Sequence, residues 1–331
     1  MTSSGKPKAT EKRLDEIRKA AAERRSAVAP PAENPKVQSG ESYYGLPVLK
    51  GPVWTWEVPL YFIVGGISGV SACIAFAAQL LHRDPALIRF ALWMALIGGA
   101  ICPVLLISDL GRPARFLNML RVFKFQSAMS LGAWILVAFS NCVLLALVCL
   151  ELKMRGFSNP LLTPLLWFGE CSGAVTGLLL ASYTGVLIGA TAIPVWSENR
   201  IVLPVHFLTS GLGCSSGILE LAGFLIPATQ IIGFVASGIE TLIGILLELR
   251  KSRVGAPLYR GESGWTLRIA GIVEGPVALL LRLIAGSTPA GRYAAAGCFL
   301  AGALLSRYGW IWAGRVSAHD PHALFQLQRK S

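Results

Sequence analysis

The sequence predicts an all-α, polytopic integral membrane protein, with about eight transmembrane helices in a compact bundle. Three observations carry that prediction. Hydrophobic residues make up 53% of the 331-residue chain and charged residues only 15%, against about 25% charged in a soluble globular domain. Long apolar runs recur from Trp56 to Trp312, separated by short polar or basic stretches. Glycines repeat at four-residue spacing inside those runs, as in Gly65 and Gly69, Gly169, Gly173 and Gly177, and Gly213 and Gly217. Small residues at that spacing let membrane helices approach closely.

In sequence order, residues 1–53 are a polar, basic tail. Residues 10–29 have the composition of a charged helix, and Pro30-Pro31 stops it. The tail contains no apolar run of the kind a secretory signal needs. It is either a disordered tail or an arm that orders on a partner. The spans follow at about 56–81, 90–107, 127–150, 164–192, 201–226, 229–249, 267–284 and 293–312. Each approaches or exceeds the roughly 20 residues that cross a bilayer as a helix. The membrane domain is therefore read as 54–314, and 315–331 as a short C-terminal tail. Trp54, Trp56, Trp196, Trp310 and Trp312 sit near span ends, as interfacial anchors do.

Charge decides orientation. With eight spans both termini share one side. That side carries the basic tail, the loop from Arg112 to Lys124, and Arg250, Lys251, Arg253 and Arg260. The other side carries Arg83, Arg89, Lys153, Arg155 and Arg292. The asymmetry places both termini in the cytoplasm. It also explains the net charge of +12 by topology, so nucleic acid is not an expected partner. Membrane lipid is.

Composition also bounds the redox chemistry. The seven cysteines (Cys73, Cys102, Cys142, Cys149, Cys171, Cys214 and Cys298) lie in apolar runs with no Cys-x-x-Cys pair, so no iron–sulfur cluster is expected in this protein. Of the four histidines only His206 falls within a span. A bis-histidine haem needs two, and no haem or other metal is expected.

The most elaborate link joins the second and third spans. Ser108-Asp109-Leu110-Gly111-Arg112-Pro113 leads through Arg115, Phe116, Asn118 and Arg121 to Lys124. Pro113 forces a turn and pushes Arg112 out of the helical region. Basic and apolar residues then alternate, as in a segment lying at the membrane surface. It reads either as a loop obeying the charge rule or as a docking platform for a partner protein, formed by Arg112, Arg115, Asn118, Arg121 and Lys124.

Ionisable residues inside spans are costly and mark functional candidates. Here they are Glu57, Glu170, His206, Glu220, Glu240, Glu274, Arg282 and Arg307. Glu57, at the mouth of the first span, either satisfies free helix amides or acts as a polar partner at a quinone pocket. Glu170, Glu220, Glu240 and Glu274 are proton-transfer candidates, though some can instead pair with Arg282 or Arg307. Tyr183, within the fourth span, either bonds a backbone carbonyl or meets a ligand carbonyl. His206 can face the same pocket as Tyr183.

Three segments together resemble a known family. They are Trp56-Glu-Val-Pro-Leu-Tyr-Phe62, Ser108-Asp-Leu-Gly-Arg-Pro113 with Arg115-Phe-Leu-Asn118, and Tyr183-Thr-Gly-Val-Leu187 with Pro194-Val-Trp196. The opening of the third span, Met129-Ser130-x-Gly132-x-Trp134, is similar as well. The sequence resembles the NrfD / polysulfide reductase membrane-subunit family from about Trp54 to Trp196. The resemblance implies a haem-free subunit in a prokaryotic cytoplasmic membrane that binds a quinone, menaquinone or ubiquinone. It implies electron exchange with a four-cluster iron–sulfur subunit and, through it, with a molybdopterin or other catalytic subunit. The family's quinone residues fall on Glu57 and Tyr183, where the polysulfide reductase branch has histidine or asparagine in place of Glu57. Asp109 lies on the partner-facing side and, with Glu57, Tyr183 and His206, is expected to supply hydrogen-bond partners to the quinone head near one membrane face. The charge count puts that face in the cytoplasm, which resembles the formate dehydrogenase-like branch. Two other classes compete: a structural membrane anchor for a peripheral enzyme, and an ion-coupled secondary transporter.

Overall fold

Helix starts are set by local chemistry that the sequence displays. A capping side chain, a proline or an acid in the first turn opens several of them. The computed structural model describes residues 49, 51–109, 116, 120–121, 123–124 and 126–330. Helix α1 (Glu57–Leu80) begins on an acid in its first turn, where free amides favour negative charge. Helix α2 (Pro85–Asp109) opens on proline, and the Asp84 carboxylate accepts the Ala86 amide at 2.9 Å. Ser127 caps α3 (Ala128–Met154) by accepting the Ser130 amide at 3.3 Å. Helix α4 (Leu162–Gly189) is followed by a single turn, α5 (Pro194–Glu198). Helices α6 (Val202–Leu221) and α7 (Pro227–Leu249) come next. A broken helix follows: α8 (Gly261–Ile272), a π turn (Val273–Val277) and α9 (Ala278–Ala285). Thr288 caps α10 (Pro289–Ala318), and α11 (Pro321–Lys330) ends the described residues.

Six of these helices, α1 to α4, α6 and α7, are long and apolar enough to cross a membrane. The two remaining expected spans form as helices but bear charge: Arg268, Glu274 and Arg282 on α8–α9, and Arg292, Arg307 and Arg315 on α10. Length and composition thus mark six of the expected eight as spans; the seventh is a helix broken into pieces and the eighth a less apolar helix. The protein is all-helical among the described residues.

Several boundaries differ from the sequence reading, and for two of them the cause is local. The fifth expected span, 201–226, stops as a helix at Leu221 because Gly223 turns left-handed at φ +96°. The seventh, 267–284, starts earlier and is interrupted. Pro276 has no amide to give and its ring crowds the preceding turn, so the helix widens to π spacing there. The helix expected over 293–312 extends to Pro289–Ala318, into the residues read as the C-terminal tail.

Helix α1 is the axis of the bundle, packing on α2, α4, α6 and α10. Its glycines make this possible. A Cβ on Gly69 would overlap the Gly177 carbonyl, and one on Gly177 the Gly69 carbonyl, so α1 and α4 cross at backbone contact. A Cβ on Gly211 would sit 2.9 Å from the Gly66 carbonyl oxygen, fixing α6 against α1 in the same way. Tyr61, Phe62, Phe139, Phe207, Trp196 and Trp310 are buried around these crossings.

The end of the bundle formed by the α6–α7 and α9–α10 connections is locked by charge. Arg282 donates to both Glu220 oxygens at 3.0 and 2.9 Å. Arg292 donates to Glu220 Oε1 at 2.7 Å, to the Ile226 carbonyl at 2.9 Å and to the Thr229 hydroxyl at 2.7 Å. The sequence reading makes Arg292 a loop charge; it is instead a buried helical residue, because three acceptors converge on it. Its removal from the loop count leaves the basic asymmetry between the two ends larger.

Candidate functional site

The other end of the bundle gathers the sequence segments singled out above. Trp54 precedes α1 and stacks on Trp196 of α5, with ring centroids 5.5 Å apart and planes 13° from parallel. It meets Phe62 edge-on at 6.3 Å. Trp196 in turn donates its indole N–H to the Trp310 carbonyl at 2.8 Å. Gly314 leaves the space that the Trp196 ring occupies. Arg315 donates to the Trp54 carbonyl, and Tyr308 to the Trp56 carbonyl at 3.1 Å. The approach to α1 is therefore held by α5 and α10 together.

Glu57 opens α1 and is half-buried. The Thr55 hydroxyl bonds the Glu57 carboxylate, and the Asp109 carboxylate lies 3.5 Å from the same hydroxyl. One threonine thus couples two acids from the start of α1 and the end of α2. The sequence reading missed Thr55; its only signal was its position two residues before Glu57.

Tyr183 lies six residues before the end of α4, about 9 Å into the helix. It is 9% exposed. Its ring and hydroxyl occupy the space over Gly132 of α3, where any Cβ would overlap them. This explains the Gly132 of the third-span motif: it is the seat of Tyr183. No hydrogen bond joins the Tyr183 hydroxyl to another of the described residues. Tyr61, one turn along α1 from Glu57, is buried within Coulombic reach of Tyr183.

The expected docking residues fall partly outside this picture. Arg112, Arg115 and Asn118, with the Gly111–Pro113 turn, lie outside the described residues, as do residues 1–48. Arg121 and Lys124 are described and exposed. Phe123 packs edge-on against Trp134 at 6.0 Å, both of them exposed.

His206 does not have Tyr183 among its partners. Its Nδ1 faces Glu240 Oε2 at 2.6 Å and its Nε2 faces the Ser306 hydroxyl at 2.7 Å. Arg307 lies 3.4 Å from Nε2, stacked over the Phe207 ring at 3.7 Å. Glu274 is brought beside His206 and Glu240 by the π turn, with ligand atoms of all three within 4.8 Å of one another. Both Glu274 oxygens and Glu240 Oε1 have no hydrogen-bond partner among the described residues. Both ring nitrogens of His206 are engaged, and a guanidinium already stands in the cluster. Glu170, buried in α4, also has both oxygens without a partner among the described residues. Glu220 is taken up by its two arginines.

The family model described as "Polysulphide reductase, NrfD" matches residues 48–252, well over half of the sequence. The protein belongs to the NrfD family. It is 30% identical over 185 residues to the C subunit of polysulfide reductase from Wolinella succinogenes, covering 50% of this protein and 56% of that one. It thus spans about half the length of the curated relative it matches. Within this NrfD protein, Trp54, Glu57, Asp109, Gly132, Tyr183 and Trp196 all lie in the matched region. Glu274, Ser306 and Arg307, which complete the cluster around His206, lie beyond it.

Proposed function

We propose that the protein is the membrane-embedded, quinone-binding subunit of a multi-subunit oxidoreductase. In this reading it passes electrons between a four-cluster iron–sulfur partner and the quinone pool, and through that partner serves a molybdopterin subunit of the formate dehydrogenase-like kind. The observation that supports it is that Glu57 and Asp109, joined through Thr55, and Tyr183, near the end of α4, lie toward the same end of the bundle as the Trp54–Trp196 pair. Those elements come from four separate helices, and family membership links them. The relative from Wolinella succinogenes is, by its name, one component of a polysulfide reductase.

The residues fit a quinone head. When bound, a quinone supplies two-electron, two-proton chemistry, with electrons arriving from outside this subunit. Tyr183 offers a phenolic donor to one ring oxygen. Glu57, held by Thr55, offers a carboxyl that can exchange protons near the membrane surface. Asp109 shares the same threonine and reports on the loop that leads to Arg121 and Lys124, the face where the partner docks. Glu240 and Glu274 are placed for proton transfer deeper in the bundle, and Glu170 from the other end.

The anchor reading requires the intramembrane acids to pair off. Glu220 does, but both Glu170 oxygens have no hydrogen-bond partner among the described residues, which favours the redox reading. The test is purification of the native complex from its membranes. An iron–sulfur subunit is expected to co-purify. Inhibitor-sensitive quinone reduction is expected to fall about tenfold or more in Tyr183→Phe and in Glu57→Gln. Full activity in both variants would remove this site from the reaction.

A further inference from the structure

The cluster around His206 opens on a cavity that the reading above does not use. The cavity holds about 470 Å³ and lies between α7, α8 and α10, a volume typical of small-molecule sites. It forms because α8 packs mainly on α10 and diverges from α7. Two glycines enlarge it: Gly244 on α7 and Gly271 on α8 both line it, and a Cβ at either would meet nothing within 4 Å. Its walls are aliphatic, and its outer rim carries the Glu248–Arg268 ion pair at 2.7 Å. Leu249, Ile245 and Ile272 beside it are exposed on the bundle surface, the side that meets lipid tails.

Its inner end is polar. Glu240, His206 and Ser306 line it, with the flat indole of Trp310 alongside. Glu240 is 3% exposed, and its Oε1 has no partner among the described residues, so an acceptor is left over where the apolar cavity ends. The occupant that matches is an amphiphile with a flat head bearing hydroxyl donors and an apolar tail. A phospholipid headgroup does not match, since its phosphate would face the Glu240 and Glu274 carboxylates.

We propose that this cavity is a second site for a quinol-type ligand, whose ring hydroxyl donates to Glu240 while its tail leaves between α7 and α8. It is separate from the Glu57–Tyr183 end: none of Glu57, Asp109 or Tyr183 lines it. The choice of a quinol over other flat amphiphiles rests on the quinone reading above. No electron transfer occurs at this site; it holds ligand.

The test titrates the purified complex with a heptyl-hydroxyquinoline N-oxide, a fluorescent mimic of a quinol head on an apolar tail. Two binding phases are expected. Gly244→Leu and Gly271→Leu, which project into the cavity from positions where a Cβ meets nothing within 4 Å, should weaken one phase by at least about tenfold and leave the other unchanged. Glu240→Gln should weaken the same phase, and Tyr183→Phe only the other. Variants are compared at matched melting temperature, so that loss of fold is seen as such. A single phase that ignores both leucine variants but is lost in Tyr183→Phe would overturn the second site and leave the first standing. A single phase lost in the leucine variants and indifferent to Tyr183→Phe would uphold the cavity and overturn the Glu57–Tyr183 site. A tightly held phospholipid, found by mass spectrometry and lost in the leucine variants while mimic affinity stays constant, would overturn the quinol assignment.

Discussion

Glu220 and Tyr183 are the two side chains whose surroundings are most demanding. Glu220 is fully buried with Arg282 and Arg292 on its two oxygens. Removing one member of such a group strands charge in an apolar interior, which costs about 3–5 kcal/mol. Glu220→Gln should therefore lower the unfolding midpoint in detergent sharply, whereas Glu220→Leu combined with Arg282→Met and Arg292→Met should recover much of it. A small effect in the single variant would mean the pairs are solvated in the membrane form. Tyr183 depends instead on an absence, the missing Cβ of Gly132. Gly132→Ala should depress quinone-linked turnover nearly as far as Tyr183→Phe, although the phenol itself is intact, because the ring must leave its seat. The sequence showed Glu220 and Arg282 as intramembrane charges but hid Arg292, which lies 72 residues from Glu220 and looks like a loop cation. Pairings of that range have no local signature.

At the scale of elements, α1 and α4 set the architecture. Their crossing at Gly69 and Gly177 leaves no room for a methyl group on either side. Gly177→Ala should cost about 1–3 kcal/mol by overpacking, measured as a shift in thermal unfolding, while Gly297→Ala, with open space around it, should cost little. Equal shifts would contradict a backbone-contact crossing. Such glycines were legible in the sequence, since four-residue spacing in an apolar run is a local pattern. The starts expected at 127 and 229 fall within two residues of Ala128 and Pro227, whereas Pro85 and Pro289 open their helices four to five residues ahead of the apolar runs that the reading followed. The break in α8–α9 was less legible. Glu274-Gly275-Pro276 signals an interruption, but a π turn that swings Glu274 toward Glu240 depends on the helices packed around it. His206 was legible as the one intramembrane histidine, yet its partners Glu240 and Ser306 lie 34 and 100 residues away.

Across the whole molecule, two ends divide the labour. One is closed by Glu220 and its arginines; the other gathers Trp54, Glu57, Asp109, Tyr183 and Trp196. The basic loops lie at the second end, and we propose from the charge rule that this end faces the cytoplasm. A membrane-impermeant maleimide should label Lys251→Cys in inverted vesicles only, and Arg83→Cys in right-side-out vesicles only; the reverse pattern would put the docking face outside the cell. The fold class was readable from composition because a bilayer demands long apolar helices. The site was half-readable, because motifs name residues but only packing brings four helices to one place. The most direct test of the central claim is photolabelling of the native complex with an azido-quinone, followed by peptide mapping. Label on the segment from Trp54 to Phe62 and on the α4 peptide containing Tyr183 is the predicted result. Label absent from both, in a complex that still reduces quinone, would contradict it.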